Sequence, residues 1–155
     1  GTAQQVPPGR GAAHLRAMLD ALAIAAPQAT EADHARAAGI VRTHQKRRAL
    51  VVWLTDVGEI AAMPEVVDSA AALSPAHVVL LAVTRPVELT ALAADVPADA
   101  RALFRVMAAQ EMTERRAELL ASLRQRGVMA AEVPSAALTA TVIDRYLEVK
   151  QRGVI

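Results

Sequence analysis

Two short, continuous apolar runs constrain the fold of this chain more than any other feature of its sequence. The first run covers Ala49–Leu54 and the second covers His77–Val83. Their length and their β-branched residues are typical of strands that are buried on both faces of a parallel sheet. A third, weaker strand is predicted over Val128–Val133, directly after a glycine.

Apolar residues around these runs recur at helical spacing, which predicts a helix before and after each strand. Strands that alternate with helices pair in parallel through right-handed crossovers. The fold class is therefore α/β, a three-layer and mainly parallel sheet flanked by helices. We expect one α/β domain over residues 1–155, with a loop over residues 1–11. The predicted helices cover His14–Ala25, a segment from Thr30 as N-cap to Lys46, Met63–Leu73, Pro86–Ala94, a segment from Asp99 as N-cap to Gly127 as C-cap, and a segment from Ser135 as N-cap to Val149, with Gly153 just beyond.

The small number of predicted strands indicates an incomplete sheet. A strand as apolar as Ala49–Leu54 needs a neighbour on each side, and the chain offers few candidates. We therefore expect the missing strands to lie upstream of Gly1 or to come from a second copy. Because an open strand edge pairs readily with other chains, we also expect self-association.

Composition and charge exclude several functional classes. The chain has 17 basic and 16 acidic residues, a formal net charge of +1, and only 2% aromatic residues. This argues against nucleic-acid binding through bulk charge or stacking. Cysteine is absent, which excludes disulfides, thiolate metal sites and thiol catalysis. No apolar run reaches the roughly 20 residues of a membrane span. We expect a cytoplasmic location and leave open a membrane association of the full-length protein.

The ends of the predicted strands hold the strongest candidate site. In open α/β sheets, ligands bind beyond the carboxyl ends of the strands. Thr55 and Asp56 follow the first strand, and Thr84 and Arg85 follow the second. Asp56 beside a hydroxyl could ligate Mg²⁺, the one candidate cofactor, although the favoured interpretation is that it accepts backbone amides in the following turn. Thr84 is expected to cap the next helix, and Glu132 to be a solvated strand end.

A second candidate is a basic patch around His44. It is interpreted as a solvated helix end, with a site for an anion or for a partner as the alternative. The patch consists of Arg42, Lys46, Arg47 and Arg48.

The sequence shows no catalytic constellation. The four histidines lack the spacing of a zinc helix, and no serine lies in a Gly-x-Ser-x-Gly motif. The histidines are expected at the surface or partly buried. Charges on the long helix, such as Glu111 with Arg115, are expected to form ordinary surface pairs four residues apart. No catalytic residue is predicted.

Several segments resemble the bacterial family called domain of unknown function 58. The resemblance rests on Arg47–Asp56 preceded by Glu31–Asp33, and on Val142–Lys150 after the helix that contains Glu114–Arg116. The opening segment Pro7–Leu15 is similar to the same family. Together these segments span nearly the whole chain.

The resemblance implies a von Willebrand factor A-like domain, of which this chain looks like the carboxyl-terminal half. Such domains bind a divalent metal at the carboxyl edge of the sheet. Of their ligand positions only an aspartate maps here, onto Asp56. The position that corresponds to the middle metal ligand of such domains falls near Ala32 and Asp33. The Asp-x-Ser-x-Ser motif, which carries other metal ligands in such domains, does not occur in this sequence.

The family also implies a function, because its genes often neighbour a MoxR-type AAA+ ATPase. We expect a non-enzymatic protein-interaction module that works with such an ATPase. The alternative is a small α/β enzyme, or a phosphate- or metal-binding domain, that uses Asp56 and Thr84 with Arg85 as an anion clamp.

Overall fold

The computed structural model describes residues 5–25, 33–56 and 64–155, except for the side chains of Asp56 and Pro64. The chain divides into two units, Gly1–Asp33 and His34–Ile155. The first unit contains helix α1 (Gly11–Ala23), and residues 5–10 have no regular structure. The helix begins and ends two to three residues earlier than its apolar spacing indicates. The prediction of a single domain remains a prediction.

The second unit contains the sheet and the remaining helices. Its elements follow the predicted order, and strands and helices begin and end within a few residues of the positions expected from the sequence. In chain order they are α2 (His34–His44), β1 (Leu50–Asp56), α3 (Pro64–Leu73), β2 (Val78–Thr84), α4 (Val87–Ala93), α5 (Ala100–Gln125), β3 (Met129–Val133), a 3-10 turn (Ser135–Ala137) and α6 (Leu138–Gln151).

The three strands form a parallel sheet in the order β1-β2-β3. Leu50 to Asp56 of β1 pair with Val78 to Thr84 of β2, one residue to one. Leu80 to Thr84 of β2 pair with β3. This arrangement confirms the α/β fold class with a parallel sheet flanked by helices.

One face of the sheet, which we call the core face, carries the main hydrophobic core. Val79, Leu81 and Val83 are fully buried on this face of β2. They pack in one cluster with α3, through residues such as Leu73, and with α5, through residues such as Leu123. The side chains of a strand alternate between faces, so this cluster accounts for every second residue of β2.

The opposite face, which we call the groove face, is covered only in part. Leu80 and Ala82 of β2 are buried there, and Val149 of α6 is buried as well. On β1, by contrast, Val52 is 38% exposed and Leu54 is 58% exposed. The groove face is therefore covered over β2 and open over β1.

Two of the predicted helix ends are confirmed in detail. The Asp99 side chain accepts a hydrogen bond of 2.6 Å from the backbone N–H of Ala102 and so caps α5. Gly127 has a φ of 82° just after α5, which is the left-handed conformation that glycine adopts without steric cost. Gly153 follows the end of α6 in the same way, with a φ of 63°. The Thr30 cap lies outside the described residues.

Two predicted caps are wrong. Thr84 does not cap α4, because the chain stays in the sheet up to Arg85, whose N–H donates to Val133 O at 2.8 Å. The cap position falls on Pro86. Ser135 does not cap α6, because the chain enters that helix through a 3-10 turn in which the N–H of Ala137 donates to Pro134 O.

Two of the histidines are more deeply buried than expected. The His34 ring lies 5.6 Å from the Trp53 ring, centroid to centroid. His77 is only 3% exposed, and its Nδ1 atom has no hydrogen-bond partner. Both side chains therefore contribute to packing rather than to the surface.

Truncation of the central strand tests the position of the core. Leu81→Ala should lower the free energy of unfolding by about 3 kcal/mol, because it opens a cavity between the sheet and two helices. Urea titration followed by Trp53 fluorescence measures this change. Val87→Ala is the matched control, since Val87 is exposed on α4. Equal effects of the two substitutions would contradict the assigned core.

Candidate functional site

The carboxyl edge of the sheet brings three of the predicted site residues together. Asp56 is the last residue of β1 and pairs in register with Thr84, the last residue of β2. Thr55 pairs with Val83, one step earlier. The Asp56 side chain lies outside the described residues. The backbone thus places a threonine and an aspartate of one strand beside a threonine of the next.

Arg85 follows Thr84 and extends toward β3. Its Nη2 lies 3.4 Å from the backbone oxygen of Glu132, a long contact. The Arg85 side chain is exposed. Arg85 is therefore at the predicted edge of the sheet, and its guanidinium reaches the strand on the side away from β1.

A buried ion pair lies at the same edge. Arg116 of α5 is 5% exposed and donates to Glu132 Oε1 from Nη2 at 2.9 Å and from Nε at 3.2 Å. Its Nη2 also donates to the backbone oxygen of Thr84 at 3.1 Å. One guanidinium therefore joins α5 to the ends of two strands. Glu132 is consequently not the solvated strand end that the sequence suggested.

This ion pair was missed at the level of the sequence, although a signal was present. Arg116 lies seven residues after Ala109 and four before Leu120, and all three are buried on α5. Such spacing places them on one face of the helix. The neighbouring pair of Glu111 with Arg115 is exposed and forms as expected.

An apolar groove on the groove face, between β1 and α6, is a second candidate site. We call it the β1–α6 groove, and its volume is about 610 Å³. Its aromatic residue, Tyr146, is 42% exposed, and Ile143 and Val52 are also exposed. The residues that line it are Arg48, Ala49, Leu50, Val52, Val142, Ile143, Tyr146, Lys150 and Ile155.

The charged side chains of this groove are both cationic. Lys150 lies with Nζ 5.8 Å from the centroid of the Tyr146 ring, and Arg48 lines the opposite wall. Neither takes part in the ion pairs found among residues 5–25, 33–56 and 64–155. The groove therefore combines an apolar floor with uncompensated positive charge.

Glu148 does not neutralise the groove, because two other arginines engage it. Its carboxylate accepts from Arg145 at 2.7 Å and pairs with Arg152 at 2.6 Å. The hydrogen bond from Arg145 and the charge of Arg152 lower the pKa of Glu148 below its ordinary value. This carboxylate thus stays ionised in mild acid and compensates charges other than that of Lys150.

The predicted basic patch continues from the wall of the groove. Arg42, Lys46, Arg47 and Arg48 are all exposed. Lys46 Nζ donates to the backbone oxygen of Arg42 at 3.2 Å, where α2 ends. The ion pairs of the described part of the chain include none of these four residues. Arg48 joins the patch to the groove.

Two further features are absent from the described residues. No group of three histidine, aspartate or glutamate residues is arranged to hold a metal ion within them. None of their helices is long and apolar enough to cross a membrane.

Comparison with known protein families identifies the family of this chain. A family model described as "Protein of unknown function DUF58" matches residues 1–121. The chain belongs to this family. The match to DUF58 ends within α5, so β3 and the Val142–Lys150 segment lie beyond it. No curated protein and no solved structure matches the chain.

The buried ion pair generates a stability prediction. Glu132→Ala should lower the free energy of unfolding by about 3 kcal/mol, because it leaves the buried Arg116 guanidinium without a carboxylate. The double variant Arg116→Leu/Glu132→Leu should recover most of that loss, because it removes both charges. Urea titration measures both effects.

The exposed pair serves as the control for this experiment. Glu111→Ala should change the free energy of unfolding by less than about 0.5 kcal/mol, because solvent screens this pair. If Glu132→Ala lowered the free energy of unfolding as little as Glu111→Ala does, the buried pair would not contribute to stability.

Proposed function

We propose that this DUF58 chain is a non-enzymatic protein-interaction module whose β1–α6 groove receives a segment of a protein partner. The observation that carries the proposal is the groove itself, which is open, apolar and bordered by Arg48 and Lys150. Contiguous exposed apolar surface with a polar rim is typical of interaction sites. Tyr146 supplies the aromatic anchor that such sites favour.

The charges of the groove define the chemistry of the partner. Its segment presents apolar side chains to the floor and carboxylates to Arg48 and Lys150. The rest of the basic patch, Arg42, Lys46 and Arg47, extends the positive surface beyond the groove. A positively charged surface attracts an acidic partner and disfavours a basic one.

The partner proposed here is a MoxR-type AAA+ ATPase. Membership of DUF58 supports this choice, since the resemblance to that family carries the association with such ATPases and a von Willebrand factor A-like scaffold. The chain then acts as an adaptor that presents the groove to the ATPase, and assembly or envelope-related work is the process that fits this role.

A binding assay with the purified ATPase tests the proposal. Tyr146→Ala and Arg48→Glu should each weaken binding about tenfold or more, equivalent to about 1.4 kcal/mol. The first removes the aromatic anchor, and the second repels the acidic partner. Titration by calorimetry measures the affinity.

A charge reversal elsewhere provides the matched control. Arg101→Glu alters an exposed arginine on α5 and should leave the affinity unchanged. Absence of binding by the unsubstituted chain, or equal weakening by Arg101→Glu and Arg48→Glu, would refute the proposed docking site.

A second candidate function rests on the register of β1 and β2. Because Asp56 pairs with Thr84, the carboxyl edge places a carboxylate residue beside a hydroxyl residue. Arg85 follows as an anion-binding group. This arrangement supports a small α/β enzyme or a phosphate- or Mg²⁺-binding domain, since Mg²⁺ prefers oxygen ligands.

Thermal unfolding with and without Mg²⁺ tests this second function. A ligand at about 100 times its Kd adds about 2.7 kcal/mol to the folded state. If the metal binds at this edge, the Tm rises in the unsubstituted chain and not in Asp56→Ala. An unchanged Tm, or an equal rise in Asp56→Ala, would remove the carboxyl edge as a metal site.

A further inference from the structure

We propose that a pocket beside β3 binds a phosphate group through the guanidinium groups of Arg124 and Arg145. We call it the β3–α6 pocket, and its volume is about 210 Å³. It shares no lining residue with the β1–α6 groove, so the inference is independent of the function proposed above. The residues that line it are Leu80, Arg124, Met129, Ala130, Ala131 and Arg145.

The β3–α6 pocket lies at the start of β3, and β2 separates it from β1. Leu80 of β2 pairs in register with Met129, the first residue of β3. The sheet order β1-β2-β3 places β1 on the far side of β2. The carboxyl edge of the sheet is at the other end of these strands, where Thr84 pairs with Val133. The pocket is therefore separate from both sites described above, and it does not depend on what lies beside β1.

The two arginines reach the pocket from different layers of the fold. Arg124 belongs to α5, which packs on the core face of the sheet through residues such as Leu123. Arg145 belongs to α6, whose Val149 is buried on the groove face. Two guanidinium groups far apart in the chain thus line the same pocket.

The guanidinium of Arg124 is held in place by the backbone of β3. Its Nε and Nη2 atoms donate to Ala130 O at 3.1 and 3.0 Å. A guanidinium has five N–H groups, so three of them, including both on Nη1, remain for another acceptor. Because the fork is already oriented, a ligand that binds it loses less conformational entropy than one that must order a free side chain.

The positive charge of the pocket exceeds the negative charge that compensates it. Arg124 takes part in none of the ion pairs of the described residues. Arg145 donates to Glu148 at 2.7 Å, but the same carboxylate also pairs with Arg152 at 2.6 Å. None of the described residues that line the pocket is acidic. Two guanidinium groups thus face the pocket with only a share of one carboxylate.

This charge and geometry fit a phosphate dianion better than a carboxylate. A phosphomonoester carries a charge of about −1.5 to −2 at neutral pH, and its oxygens match the donor fork of arginine. The pocket of about 210 Å³ is several times larger than the roughly 30 Å³ that one water molecule occupies in the liquid. It therefore admits a phosphate group, and Leu80 and Met129 supply apolar surface for a short carbon chain attached to it.

Calorimetric titration of the full chain with inorganic phosphate, butyl phosphate and acetate tests the class of ligand. Phosphate should bind about tenfold or more tightly than acetate, because acetate carries a single charge. Tighter binding of butyl phosphate than of inorganic phosphate identifies a phosphomonoester as the ligand, and the reverse order identifies free phosphate. Either order supports the site.

Substitutions test the residues of the site. Arg124→Gln and Arg145→Gln should each weaken phosphate binding about tenfold, with an unchanged circular dichroism spectrum, because each removes one charge from an exposed side chain. Glu148→Gln should strengthen binding, since Arg145 then loses its carboxylate partner. This gain is not an effect of a damaged fold. Arg115→Gln is the matched control, because Arg115 is exposed on α5 and lies outside the pocket.

Three results would overturn the proposal. They are an absence of phosphate binding by the unsubstituted chain, acetate binding as tight as phosphate binding, and weakening by Arg115→Gln equal to that by Arg124→Gln. Failure of the ATPase to bind would refute the proposed function and leave this inference in place, because Arg48 and Tyr146 lie outside the β3–α6 pocket.

Discussion

Burial of β2 on both of its faces holds the layers of this structure together. Val79, Leu81 and Val83 pack against α3 and α5 on the core face, and Leu80 and Ala82 lie beneath α6 on the groove face. Each helix layer thus depends on the same strand for its apolar contact. Since the burial of one leucine side chain is worth about 2 kcal/mol, this strand supplies a large share of the stability.

The two outer strands differ because their surroundings differ. Both pair with β2 on one side, yet arginine side chains reach the outward carbonyls of β3, while β1 has apolar pockets on both faces. The apolar surface beside β1 is therefore the least covered part of the described sheet, and the proposed function uses it.

The positive side chains discussed above fall into two groups, one paired within the fold and one in no ion pair of the described residues. Arg116 is held by Glu132 and by the Thr84 carbonyl, so its charge is used to fasten α5 to the sheet. Arg48 and Lys150 have no carboxylate among the described residues and lie beside apolar surface. Arg116 is thus paired within the fold, whereas Arg48 and Lys150 take part in none of the ion pairs of the described residues.

The sequence by itself determined the α/β class, the order of the elements and the glycine after α5, because these follow from local periodicity and backbone conformation. The two caps that were wrong, at Thr84 and Ser135, depend on how far a strand or a 3-10 turn continues. Only the tertiary structure decided that Arg116 and Glu132 meet and that β1 adjoins a groove. These features join residues far apart in the chain, and hydrophobic spacing does not specify which helix face meets which strand.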